Sequence, residues 1–286
     1  KNMALLKCAD KTLDLSRTQV MGVLNLTPDS FSDGGSLYAG QSVNLDKLLC
    51  SAEQMVNDGA AILDLGGEST RPDAQPVSVE QEMHRVLPAL ECLHDRLDVV
   101  LSVDTSSAVL MKEAAGLGAG LINDVRALES EGALDAAAAT GLPVCLMHMQ
   151  GSPLTMQLAP KYDNVRQEVA AYLQLRAQQC QLKGMAAEQI ILDPGFGFGK
   201  TLQQNLSLLA AIKELSSLGY PLLIGTSRKS MYGQLLGRDV SDRLAGSLAS
   251  VAYAAMHGAA IVRVHDVKES VDTVKVIAAI KGQDNE

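Results

Sequence analysis

The chain has 286 residues, 47% of them hydrophobic and 20% charged, which supplies a large packed core and argues against disorder. Its formal net charge of −9 disfavours a nucleic-acid partner, because such binding relies on basic patches. Cys8, Cys50, Cys92, Cys145 and Cys180 are scattered, odd in number and without a C-x-x-C pair, so reduced thiols of a cytoplasmic protein are expected and structural zinc is not.

In chain order, no signal peptide is expected. Residues 4–16 (ALLKCADKTLDLS) alternate weakly around a turn and read as a β-hairpin. Eight short aliphatic runs follow, at residues 20–26, 60–66, 98–104, 119–125, 142–148, 189–195, 221–227 and 259–265. Between them lie segments of helical length and mixed polarity, 79–94 and 164–183 among them. Gly59, Gly118, Gly141 and Gly258 each stand just before a run, where a helix would stop. Residues 244–264 could pass for a membrane span, but His257-Gly258 divides them into a helix and a short strand. A soluble protein with no membrane partner is expected.

Near-continuous apolar strands alternating with helices predict a parallel sheet covered by helices. Eight such units, in a chain near the ~250 residues typical of the fold, predict an α/β protein built as one closed (β/α)8 TIM barrel. A single domain is expected over residues 1–286, with the barrel proper at about 18–282 and the hairpin at its floor.

Asn25, Asp64, Asp104, Asn123, His148, Asp193, Ser227 and His265 all fall at or just beyond the carboxyl end of a predicted strand. One such residue is readily a helix cap. Eight of eight point instead to the barrel mouth, where chemistry is assembled from several strands. The stretch LDPGFGFGKT at residues 192–201 looks like a phosphate-cradling loop, but Pro194 stands where that loop needs its outer glycine. Proline has no N–H for a phosphate and a locked φ. What remains is Asp193 followed by a glycine-rich turn carrying Phe196 and Phe198. With Phe31 these are the only phenylalanines, and aromatic faces beside such turns suit stacking on a flat ring.

Asp104 and Asp193 accept hydrogen bonds when ionised, while Asn123 donates and accepts. That set fits a planar ligand with an amidine-like N–H edge, which a carboxylate pairs bidentately. An acid/base pair or a metal site is the alternative; carboxylate-only metal binding is disfavoured because no segment carries a tight cluster. Cations come from other strands. Arg228 and Lys229 follow the seventh run, Arg263 and His265 share one side of the eighth, and Arg71 lies in GGESTRPDA. The seventh and eighth strands commonly frame a phosphate site, so an anionic substrate is implied. Arg228 reads as a surface charge or a structural ion pair. GTSRK lacks the last glycine of a G-x-S-x-G elbow, so a hydrolase serine is unsupported. Lys229 could form a Schiff base, although a hydrogen-bonding cation is the plainer role.

In order along the chain, MGVLNLTPDSFSDGG, GAAILDLGGESTRP, SVDTS, INDVRAL, LMHMQG, LDPGFGFGKT, GTSRKS and VRVHDV resemble the motifs of the bacterial dihydropteroate synthases, a pterin-binding barrel family. The resemblance implies condensation of 6-hydroxymethyl-7,8-dihydropterin diphosphate with 4-aminobenzoate, Mg²⁺ as cofactor, a homodimer, and sulfonamides as competitive ligands. It implies that Asp104, Asp193, Lys229 and Asp33 serve catalysis. Thr70, Asp104, Asn123, Met147, Asp193, Phe198, Lys229 and Arg263 would hold the pterin. Asn25, Arg71, Arg263 and His265 would hold the diphosphate, with Asn25 on the metal. Phe31, Thr70, Arg71, Pro72, Phe198, Lys229 and Ser230 would face the aminobenzoate. The Gly-, Pro- and Ser-rich stretches TPDSFSDGG and ESTRPDA read as lids that close after pterin binding. Two rivals are a methyltetrahydrofolate-dependent methyltransferase on the same barrel and a lyase using Lys229 as Schiff base.

Overall fold

A computed structural model describes residues 4–28, 38–39, 42–71, 74–152, 156 and 158–283. The chain opens with β1 (Leu5–Cys8) and β2 (Lys11–Asp14), an antiparallel pair in which alternate residues turn inward. β3 (Gln19–Asn25) begins the main sheet, and β4 (Tyr38–Ala39) pairs with β5 (Ser42–Val43) outside it. Thereafter helix and strand alternate: α1 (Leu45–Asn57), β6 (Ile62–Gly66), α2 (Val79–Arg96), β7 (Val100–Asp104), α3 (Ala108–Gly116) and β8 (Leu121–Asp124). Then come α4 (Ala133–Thr140), β9 (Val144–Met147), α5 (Val165–Leu182) and β10 (Ile190–Asp193). The last quarter holds α6 (Leu202–Ala210), α7 (Ile212–Ser216), β11 (Leu223–Ile224), α8 (Ser230–Leu236), α9 (Leu244–Met256), β12 (Ile261–Val264) and α10 (Val267–Gln283).

Eight parallel strands lie side by side in the order β10-β9-β8-β7-β6-β3-β12-β11, which is their chain order wrapped into a ring. A single parallel bridge, Leu192 to Leu222, joins the two ends, with Leu192 N–H donating to the Pro221 carbonyl at 2.9 Å. This is the expected (β/α)8 barrel. Its thinnest stave is β11, which follows Pro221; proline has no N–H to give a ladder. The helices begin where the sequence supplies caps, as at Ser78 and Thr201, each in a capping box with the glutamine three residues on. They end at glycine where the chain must reverse tightly. Gly118, at φ 101°, is one such stop, and a Cβ there would run into the His94 ring. No described helix is long and apolar enough to cross a membrane.

The barrel interior is built in layers. Leu6, Cys8 and Leu13 of the hairpin pack on Met21, Ile62, Val100, Leu121, Ile191 and Ile261, which face inward near the start of their strands. The hairpin therefore plugs the floor, each such leucine contributing about 1.5–3 kcal/mol by burial. Strand side chains repeat every second residue. The stride that puts Ile62, Val100, Leu121, Ile191 and Ile261 at the floor therefore places Asp64, Ser102, Asn123, Asp193 and Arg263 one layer higher. A second, larger core fills the space between the sheet's outer face and the helices.

Candidate active site

A cavity of about 730 Å³ opens at the carboxyl ends of the strands. Asn25, Thr70, Arg71, Asp104, Phe198, Lys229, Ser230, Arg263 and His265 all line it, so residues of strands and loops far apart in sequence meet there. Asn123, Met147 and Asp193 belong to the strand ends around it and are buried. Phe31, Asp33 and Pro72 lie outside the described residues, as does most of the TPDSFSDGG stretch.

The layer beneath the cavity is organised by Asp64, which the sequence marks only as one of eight polar strand ends. Asp64 is fully buried, and its Oδ1 accepts from Ser102 Oγ at 2.7 Å. Its Oδ2 accepts from Arg263 Nε at 2.8 Å and from Asn123 Nδ2 at 3.2 Å. Ser102 is the register partner of Asp64, which is why the two meet. The signal was present in ILDLG: residue 64 is two past Ile62 and must share its inward face. Arg263 also reaches Asp104 Oδ2, at 3.6 Å. The guanidinium thus bridges two carboxylates, instead of standing on a separate cationic wall.

Charge is tuned by burial. Burial, then the neighbouring Asp64, pushes Asp104 well above the ordinary carboxylate range, against the pull of Arg263. Burial raises Asp193 to about 6, opposed by its hydrogen bond from Gly195 N–H and by Lys229, Arg263 and Lys200. Burial and Arg263 bring Lys229 down to about 8, opposed by Asp193. Lys229 stands just before the first turn of α8, with its Nζ 4.6 Å from the centre of the Phe198 ring, a cation–π contact.

His265 departs from its reading as one of the basic groups. Burial and the adjacent Arg263 hold its pKa at about 3, so the ring is neutral at pH 7 and its Nδ1 faces Ser227 Oγ at 2.9 Å. Arg228 pairs with Asp266, Nη2 to Oδ1 at 2.7 Å and Nε to Oδ2 at 3.1 Å, the structural ion pair and not the surface charge. Glu68, Gln234 and Val240 also line the cavity. Glu68 sits within the GGESTRP motif; Gln234 and Val240 carry no motif that would have singled them out.

Metal binding has little to work with. Among the described residues no three His, Cys, Asp or Glu side chains are grouped to hold an ion. Asn25 Oδ1 already accepts from Thr27 N–H at 3.0 Å and Thr27 Oγ1 at 2.6 Å. One amide oxygen suits Mg²⁺ only as a minor ligand, beside phosphate oxygens and water.

The cavity therefore joins acidic and amide groups, which suit a planar N–H edge, to Lys229, Arg71 and Arg263 at the same mouth. The family model for pterin binding enzymes matches residues 21–265. The dihydropteroate synthase of Escherichia coli (strain K12) is 54% identical over 268 residues, covering 94% of this chain and 93% of that protein. Its counterpart in Haemophilus influenzae is 51% identical over 267 residues, covering 93% and 95%. A Yersinia pestis dihydropteroate synthase solved in a sulfonamide drug complex superposes with a TM-score of 0.92 at 51% identity, covering 97% of this chain and 99% of that one. A Xanthomonas albilineans dihydropteroate synthase solved with 4-aminobenzoic acid gives a TM-score of 0.89 at 44% identity, covering 97% and 98%. By sequence, fold and the chemistry gathered at its barrel mouth, the chain belongs to the pterin binding enzymes and, within them, to the dihydropteroate synthase family of transferases.

Proposed function

We propose that the chain joins 6-hydroxymethyl-7,8-dihydropterin diphosphate to 4-aminobenzoate by a division of labour between the two sets of charges at the mouth. Asp193, Asp104 and Asn123 accept from and donate to the amino-pyrimidinone edge of the pterin, with Phe198 and Met147 beside the ring. Lys229 donates to the ring. Arg71 and Arg263 face the diphosphate, and neutral His265 serves it as a hydrogen-bonding partner, with no charge of its own. Thr70 and Ser230 lie toward the aminobenzoate, whose place sulfonamides would take; the sulfonamide and 4-aminobenzoic acid bound to the relatives support this.

The chemistry needs no protein nucleophile. The C–O bond to diphosphate breaks first, leaving a cation-like pterin methylene, and the aromatic amine, neutral at pH 7, adds its nitrogen to that carbon. The products are 7,8-dihydropteroate and diphosphate, and the amine proton leaves with the departing group or solvent. The demanding part is charge separation at the leaving group, which fixed dipoles and cations stabilise in a site that water has left. Mg²⁺, held by Asn25 Oδ1 and the diphosphate's own oxygens, would neutralise charge on that group. The layer in which Arg263 spans Asp64 and Asp104 is the observation that carries this reading, because it fixes the acidic grip and one cation in a single frame.

The enzyme acts as a homodimer in the cytoplasm on this reading. Five unpaired cysteines support the location. A second, apolar hollow of about 520 Å³ lies on the outer helices, lined by Met231, Leu235, Leu236 and Tyr253 among others. Leu235, Leu236 and Tyr253 are 54%, 49% and 41% exposed, an apolar patch that a second copy would cover. The reaction is tested by diphosphate release: both substrates and Mg²⁺ together must give it, and omission of 4-aminobenzoate must stop turnover. Equal release without the amine would sink the reading.

A further inference from the structure

The lysine of the GFGFGKT stretch does the opposite of what a phosphate-loop lysine does. Lys200 is 2% exposed, and its Nζ turns inward to the carbonyl oxygens of Gly195 at 2.7 Å, Phe198 at 2.9 Å and His148 at 3.5 Å. Three acceptors match the three N–H bonds of an ammonium. Burying such a charge costs several kcal/mol, which an apolar side chain of similar shape would not. The position therefore has work for a cation.

Two pieces of geometry indicate that work. The first is the turn itself. Gly195 and Gly199 hold φ of 72° and 69°, and a Cβ at either would run into the carbonyl oxygen of His148 or Gln150. The turn is thus pressed against the loop after β9. Beyond the three bonds from Lys200, Asn205 Oδ1 accepts from Gly197 N–H and Tyr162 Oη donates to the Gly199 carbonyl, each at 2.8 Å. Phe198 leaves this braced backbone to line the cavity.

The second is Asp193, which ends β10 and accepts the Gly195 N–H at 2.8 Å. Gly195, whose N–H donates to Asp193, gives its carbonyl to Lys200 Nζ at 2.7 Å, so the ammonium is tied to the residue that holds the carboxylate. Lys229, Arg263 and Lys200, in descending order, favour the charged form of Asp193. On the neighbouring β9 the thiol of Cys145 is uncharged, its pKa driven up by burial and then by Asp193. Burial brings Lys200 itself down to about 7, with Asp193 opposing and Lys229 adding to the shift, so it is charged across the acidic limb and loses that charge above neutrality. The nearby His148 ring is neutral because burial and Lys200 hold its pKa at about 3.

We propose that Lys200 is a positioning residue of the condensation: it braces the turn that carries Phe198 and biases Asp193 toward the carboxylate that accepts the pterin N–H edge. The proposal rests on the pterin reading of the site given above. Burial raises Asp193 to about 6 even with all three cations present, so removing one moves its titration into the working pH range.

The test is the pH profile of kcat/KM for dihydropterin diphosphate in wild type, Lys200→Met, Lys200→Gln and Tyr162→Phe, each checked for native circular dichroism. In Lys200→Met the KM for the pterin substrate should rise about tenfold, with less change for 4-aminobenzoate. Its acidic limb should move to higher pH, since the interaction of charges at this depth is weakly screened. Lys200→Gln, which keeps a donor but no charge, should move the limb likewise. Tyr162→Phe loosens the same turn but leaves the charge, so it should raise the pterin KM with the limb unmoved. Folded Lys200 variants whose limb and pterin KM match wild type would overturn the proposal, as would a Tyr162→Phe enzyme with unchanged KM. Wild-type protein that releases no diphosphate from the two substrates would overturn the reading of the site, and with it the role assigned here to Lys200.

Discussion

Arg263 Nε lies 2.8 Å from Asp64 Oδ2, so a cation from the last strand of the barrel is fastened to a carboxylate from the second. The pair closes the polar layer across 199 residues of chain and holds the guanidinium where it also meets Asp104. Breaking such a pair by removing one partner leaves a buried charge uncompensated, at a cost of about 3–5 kcal/mol. Asp64→Ala should therefore lose both thermal stability and pterin affinity. Ser102→Ala, which removes one hydrogen bond to the same carboxylate, should cost only ~1 kcal/mol. Thermal melts and pterin titrations of the two variants check this; equal, small effects would remove Asp64 from its central place.

The pH dependence follows from two opposed shifts. On the proposed reading Asp193 is ionised to accept the pterin edge, and its pKa is raised to about 6; Lys229 is protonated to donate, and its pKa is lowered to about 8. The kcat/KM for the pterin substrate, which reports the free enzyme, should be a bell with limbs near those values. Stability carries the same imprint. The folded chain binds the Asp193 proton more tightly than the unfolded chain does, so that contribution is present below pH 3.8 and is lost as pH rises through about 6. Asp193→Asn should melt higher than wild type at pH 7.5, and the gap should narrow at pH 4.5. A gap that widens on acidification would contradict the assigned shift.

Lys229 separates the transferase from the lyase reading. If Lys229, stacked on Phe198, serves the proposed reaction by charge, Lys229→Met should lower kcat/KM by about 10²–10³, the range seen when one preorganised donor is removed. Borohydride with a carbonyl compound should leave Lys229 unmodified in wild type. Mass spectrometry finding a reduced adduct on that side chain would revive the Schiff-base chemistry.

The outer hollow carries its own expectation. Leu235 is 54% exposed at its edge, and Leu235→Glu should shift the protein from dimer to monomer in sedimentation experiments. A wild type that sediments as a monomer at micromolar concentration would rule out the homodimer.

Much of this was legible in the sequence because a barrel converts order into place. Each of the eight aliphatic runs contains a strand, and in seven the polar residue at its end reached the mouth or the layer below it. His148 is the exception: Cys145 takes the inward face of β9, and the His148 ring packs against Tyr172 of α5, with ring centres 5.1 Å apart. GFGFGKT was rightly refused as a phosphate loop on Pro194, yet nothing local revealed that Lys200 would fold inward, since its three acceptors include the carbonyl of His148, 52 residues away. Asp64 was visible as a polar strand residue but not as the centre of the layer. Its partners come from β7, β8 and β12, and only closure of the ring brings them together. His265 looked basic because a sequence shows side-chain type and not burial; its neutrality comes from its surroundings.

On the proposed reading, preorganised charge at the mouth drives departure of diphosphate, with Asp193 favouring the electron-poor pterin. This claim is tested most directly by single-turnover C–O cleavage in Asp193→Asn at saturating dihydropterin diphosphate. A cleavage rate lowered by at least tenfold, with substrate fully bound, is the expected result. A rate equal to wild type would contradict the claim and reduce Asp193 to a binding group.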